Sequence, residues 1–162
     1  MIRASLMIMI VILYILLGFQ RNLAWIDDEA LWNDAAQRSP LKPRPYVNIG
    51  MAHIRNGLWD KAEKVLLEAL TVSTDDRHKN HRAIAQNNIA FIYMKKGLLD
   101  KAEERFKKVI ELYPEDGVPY NNLGIFYINK GLFNEAMKNF KKAVSLKLEY
   151  PEAYINMGFI YY

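Results

Sequence analysis

Hydrophobic positions follow two different rules along this chain. From Ala4 to Phe19, sixteen consecutive residues carry no charge and two hydroxyls, on Ser5 and Tyr14. Wound as a helix rising about 1.5 Å per residue, that run extends about 24 Å. Taking in Met1 to Gln20 lengthens it to twenty residues. That approaches a hydrocarbon core of about 30 Å, with Arg3 reaching the headgroups along its aliphatic stem. Residues 1–20 therefore predict a single-pass transmembrane anchor helix. A cleaved secretory signal is one alternative, but Leu16-Leu17-Gly18-Phe19-Gln20 lacks the small-x-small pair of a cleavage site. A buried soluble helix is the other.

Beyond the run, apolar residues recur with helical spacing in a pattern that repeats. Three segments align without gaps: NIGMAHIRNGLWDKAEKVLLEAL from Asn48, NIAFIYMKKGLLDKAEERFKKVI from Asn88 and NLGIFYINKGLFNEAMKNFKKAV from Asn122. Counted as 34-residue units, they start at Pro43, Ala83, Gly117 and Pro151, with spacings of 40, 34 and 34. Position 8 is small throughout (Gly50, Ala90, Gly124, Gly158), as is position 20 (Ala62, Ala102, Ala136). Two helices of a hairpin must cross closely there. Position 11 is His53, Tyr93, Tyr127 and Tyr161, and position 24 is Leu66, Phe106 and Phe140. Gly57, Gly97 and Gly131 close the first helix of each pair.

This register resembles the tetratricopeptide repeat (TPR). The resemblance implies an all-α fold, an α-α superhelix of about three and a half repeats: 43–82 with an extended linker, 83–116, 117–150, and the first helix of a fourth at 151–162. Continued backwards, the register puts Trp32, Ala35 and Pro40 at second-helix positions. Residues 21–42 are thus expected to form a juxtamembrane capping half-repeat with a helix over Asp27–Ser39, whose Asp27, Asp28 and Glu29 favour the helix dipole. Phe159 to Tyr162 leave an apolar end where a polar cap is expected. A continuing chain, a partner or another copy must cover it; head-to-tail docking without closure would build a filament.

Arg21-Asn22-Leu23-Ala24-Trp25, Leu31-Trp32, Ser39-Pro40 and Tyr46-Val47-Asn48-Ile49-Gly50 are similar to the junction between the last membrane helix and the repeats of TPR-bearing transmembrane O-mannosyltransferases and their bacterial relatives. That resemblance implies extracytoplasmic repeats, periplasmic, luminal or extracellular, and allows a reading as the regulatory end of a larger glycosyltransferase. It carries over no catalytic residue. The charge count points the other way, since Arg21, Arg38, Lys42 and Arg44 after the anchor outweigh Arg3 before it.

Position 6 is asparagine in every unit: Asn48, Asn88, Asn122 and Asn156, with Asn87 and Asn121 beside two of them. Amides repeated along a groove can hydrogen-bond an extended peptide backbone without reading its side chains, and the series resembles the asparagine ladder of O-linked N-acetylglucosamine transferases. Bonding of each amide within its own hairpin is the competing reading. Positions 2, 5, 9 and 12 are expected to face the same groove, bringing Val47, Met51, Ile84, Phe91, Ile125 and Phe159 to it. The expected partner is a protein or peptide segment.

Composition narrows the chemistry. There is no cysteine, which excludes disulfides and thiolate chemistry. The net charge of +4 is spread along the chain and predicts no nucleic-acid partner. His78 and His81 lack a third ligand nearby, and His53 stands where tyrosine packs in the other repeats. No phosphate-binding glycine loop or nucleophile elbow is present. No enzyme activity, metal or cofactor is expected.

Overall fold

The computed structural model describes residues 28–72, 74–147 and 149–161. The expected anchor at 1–20, the segment 21–27 and Tyr162 lie outside the described residues. Among the described residues there are eight α-helices and no strand: α1 (Asp28–Arg38), α2 (Pro43–Arg55), α3 (Trp59–Thr71), α4 (Lys79–Lys95), α5 (Leu99–Leu112), α6 (Gly117–Asn129), α7 (Phe133–Leu146) and α8 (Pro151–Tyr161). No helix among them is long and apolar enough to cross a membrane. Each helix packs on its neighbours in sequence, and α2 also packs on α4.

The sharp reversals between paired helices come from glycine. Gly57, Gly97 and Gly131 have φ of +70°, +73° and +72°, a left-handed conformation that side chains disfavour. The chain then folds back on the helix end, with the Leu58 N–H donating to the His53 carbonyl at 2.9 Å and the Gly57 N–H to the Ile54 carbonyl at 3.0 Å. Leu98 and Leu132 bond Tyr93 and Tyr127 in the same way, satisfying carbonyls that each helix end would otherwise leave bare.

Small residues then let the hairpins close. A Cβ on Gly50 would lie 2.5 Å from the Leu66 side chain, and one on Gly124 2.5 Å from the Phe140 ring. Ala90 takes that place in the second hairpin, and Ala62, Ala102 and Ala136 meet it from the facing helices, all fully buried. Leu66, Ile89, Ile92, Phe106 and Phe126 build a continuous core across the first three hairpins. Each such side chain contributes about 1.5–3 kcal/mol on burial. A smaller cluster of Ala143, Tyr150 and Ala153 seats α8 on α7.

Between hairpins a polar latch recurs. Tyr127 Oη donates to Glu103 Oε1 at 2.9 Å, and Lys130 Nζ reaches Glu103 Oε2 at 3.3 Å. One repeat earlier Lys96 binds Glu63 and Asp60. At the first junction the same places hold His53 and Glu29, and the buried His53 Nδ1 stands 3.7 Å from Glu29 without a hydrogen bond.

One expectation needs correction. The helix expected over Asp27–Ser39 ends at Arg38, one residue short of Ser39, while Asp27 lies outside the described residues. The long linker before α4 is itself partly structured. Asp76–His78 form a 3-10 turn whose N-cap Asp75 accepts from the Arg77 N–H. His81, inside α4, is partly buried with an unbonded Nδ1, and burial, then His78 and Arg44, push its pKa down.

Candidate binding groove

The first helices α2, α4, α6 and α8 set the position-6 amides along one face, but their surroundings differ from rung to rung. Asn48 Nδ2 donates to the Arg44 carbonyl one turn back, at 3.0 Å. Asn156 Nδ2 donates to Asn121 Oδ1 at 3.0 Å, and Asn121 is 5% exposed. These three amides are engaged inside the protein. Asn88 and Asn122 make no side-chain hydrogen bond among the described residues, and the Asn87 Oδ1 is buried with no partner. An unpaired buried acceptor costs about 1–3 kcal/mol, so Asn87 favours any donor delivered to it.

The unsatisfied amides share one place. A cavity of 610 Å³ between α4 and α6 is lined by Asn87, Asn88 and Asn122, with apolar walls from Phe91, Met94, Leu99, Phe106 and Ile125. Trp59 meets the edge of Phe91 at 6.1 Å between ring centroids. Asn129, at the far side, is held by the Ile125 carbonyl. A second cavity of 270 Å³ adjoins it through Asn87, with Ile84 and Val118 in its walls.

The predicted lining is thus only partly assembled. Asn87, Asn88, Phe91, Asn122 and Ile125 meet in the larger cavity, and Ile84 reaches the smaller one. Met51 and Phe159 are exposed but line neither. Val47 does not face the groove: it is 2% exposed and packs in the core. Lys95, Leu99, Phe106 and Asn129 were not among the expected lining residues. Lys95 lies one turn beyond Phe91 on the same face of α4, with its Nζ 5.3 Å from the Phe91 centroid, and the i, i+4 spacing alone could have flagged it. Among the described residues no group of three His, Asp or Glu side chains could hold a metal ion.

Comparison with known proteins bears on the same stretch of chain. Residues 43–115 match the family described as tetratricopeptide repeat, residues 106–138 match a second family of that description, and residues 126–162 match one described as TPR repeat. No curated protein matches the chain. Among solved structures, a MamA crystal structure aligns over 80% of this chain and 72% of its own, at 19% identity and a TM-score of 0.63. A MamA double mutant aligns over 87% and 78%, at 22% identity and 0.65. The Cut9-Hcn1 hetero-tetramer of the APC/C aligns over 88% of this chain and 28% of the matched chain, at 14% identity and 0.72. At such identities the likeness is one of fold. From residue 43 to residue 162 this chain is built of tetratricopeptide repeats.

Proposed function

We propose that this protein is a non-enzymatic scaffold, tethered to a membrane by residues 1–20 with its repeats outside the cytoplasm, that holds an extended protein segment at the junction of its second and third repeats. The single observation carrying the reading is that Asn87, Asn88 and Asn122, all lacking side-chain partners at the atoms described above, surround one apolar cavity. An extended backbone offers the alternating donors and acceptors that such amides need, and Phe91, Met94 and Ile125 take its side chains. The tether rests on the uncharged run at 4–19, and the membrane side rests on the junction resemblance. Peptides selected by display against the full chain test the groove. Replacing Asn88 and Asn122 together by alanine should weaken their binding about tenfold or more, with helicity unchanged, since each net hydrogen bond is worth about 0.5–1.5 kcal/mol. Undiminished affinity would remove the groove from the account.

A second reading has its own observation. On α8, Tyr154, Ile155 and Phe159 are 50%, 71% and 68% exposed. A Cβ on Gly158 would meet nothing within 4 Å, where its counterparts meet Leu66 and Phe140. The face is therefore shaped for another helix, and a second copy of the chain is one source of it. Light scattering of the full chain in detergent over a concentration series checks this, because a mass that stays that of one chain contradicts self-association.

A further inference from the structure

The latches between repeats also fix which helix ends lie together. Lys96, at the end of α4, reaches Asp60 and Glu63 near the start of α3, and Tyr127 and Lys130, at the end of α6, reach Glu103 near the start of α5. His53, near the end of α2, stands 3.7 Å from Glu29 at the start of α1. The turns at 57–58, 97–98 and 131–132 and the start of α1 therefore share one edge of the solenoid. That edge is apolar at its tips. Leu58, Leu98 and Leu132 are the N-caps of α3, α5 and α7, and none makes a side-chain cap hydrogen bond. Serine, threonine, aspartate or asparagine serves a helix better there. Leucine nevertheless stands at all three, 39%, 41% and 38% exposed, with Phe133 beside the last at 50%. Trp59 and Leu99, the residues after the first two, pack against the core instead. Helix stability does not account for the leucines.

We infer that this edge lies on the membrane: Leu58, Leu98, Leu132 and Phe133 enter the boundary between headgroups and acyl chains, the hairpins stand upright on the bilayer, and the groove opens sideways. The inference rests on the tether reading above and adds how the repeats sit on that membrane. The start of α1 carries the chain that leads back to residues 1–20, so an anchor there delivers this edge, and not the opposite one, to the lipid surface. A flat surface suits one apolar tip per repeat. The apolar area on offer is small, and four partly exposed side chains would hold an untethered protein only weakly. Tethering makes the contact intramolecular and offsets that weakness. Just inside the tips, Lys61 and Lys101 stand beside Asp60 and Asp100, so charges of both signs lie at headgroup depth and the edge gains nothing from anionic lipid.

The chain has no cysteine, so a single thiol-linked fluorophore reports one position. The full chain is reconstituted in phosphatidylcholine vesicles with the label on Asp100→Cys or Asn134→Cys, exposed positions beside the tips, or on Glu115→Cys, exposed between α5 and α6 at the opposite edge. Lipids carrying a nitroxide on the headgroup quench a label that touches the surface. Quenching at 100 and 134 should be about threefold or more that at 115, which α5, 14 residues long, holds about 20 Å from the turns. Leu58→Ser, Leu98→Ser and Leu132→Ser together should bring the first two labels down to the level of the third, with helicity unchanged because serine suits an N-cap, while the protein still floats with the vesicles. Anionic lipid or high salt should alter neither result. Equal quenching at all three sites, or quenching that the serines leave unchanged, would overturn the edge contact and leave the tether standing. A label at 100 that enters an apolar environment without being quenched would mean that protein, such as a second copy, covers the edge, and would overturn the contact as well. Quenching that appears only with anionic lipid would put the lysines in place of the leucines and overturn it too. Failure to float with the vesicles would overturn both the contact and the tether.

Discussion

At the residue scale, one sequence position can change sign with its surroundings. Gly124 and Gly158 both occupy position 8, yet the first abuts Phe140 and the second meets open space. Gly124→Ala should destabilise the protein by about 1–3 kcal/mol through overpacking. Gly158→Ala should stabilise α8 by about 0.5–1 kcal/mol, because alanine is the better helix former. Denaturant melts of both variants check the pair, and equal effects would show that the α8 face is as closely packed as the inner repeats. His53 makes a similar point. Tyrosine in its place would donate to Glu29 as Tyr127 does to Glu103, so His53→Tyr should raise stability by about 0.5–1.5 kcal/mol. A lower melting temperature would show that the first junction has no room for the phenol. The sequence displayed these positions, because steric needs recur in register. It did not display the state of the asparagines. Asn48, Asn88, Asn122 and Asn156 look identical in register, and only their neighbours reveal that the first bonds the Arg44 carbonyl and the last bonds Asn121.

At the scale of elements, the latches set how firmly each repeat docks on the next. Burial works to raise the Glu103 carboxyl pKa, but hydrogen bonds from Lys107, Tyr127 and Lys130 outweigh it and hold the group below its ordinary range. A depressed carboxylate stabilises the fold above its unfolded pKa and loses that contribution as pH falls through the folded value. Tyr127 shifts the other way: burial, then the bond to Glu103, pushes it to about 12. Its contribution is complete below the ordinary tyrosine value and is lost as pH rises through about 12. The junction between the second and third repeats should thus weaken at both ends of the pH scale. Glu103→Gln should cost about 1–2 kcal/mol near neutrality and flatten the acid limb. Urea melts at several pH values read this directly, and a limb as steep in the variant as in the parent would mean that other carboxylates govern it. Helix boundaries within hairpins were legible from Gly57, Gly97 and Gly131. The start of α4 was not, because the 3-10 turn at Asp76–His78 precedes it in the lengthened first unit, which the other repeats do not share.

At the scale of the whole molecule, stacked hairpins set the position-6 amides on the first helices, while Glu63 and Glu103 on the second helices join one repeat to the next. The TPR architecture was readable because each unit repeats the same steric demands. The site was not fully readable, because the cavity lies between repeats, where Lys95, Leu99 and Phe106 converge only once α4, α5 and α6 are packed. Val47 shows the limit of register alone, since a position expected to face the groove became core. The central claim is that binding is concentrated at the junction of the second and third repeats. Nitrogen-labelled NMR spectra of the full chain in detergent, recorded while a display-selected peptide is added, test it most directly. The account predicts the largest shifts in the side-chain amides of Asn87, Asn88 and Asn122, with those of Asn48 and Asn156 nearly unmoved. Equal shifts along all four position-6 amides, or the largest shifts on α3, α5 and α7 away from the cavity, would contradict it.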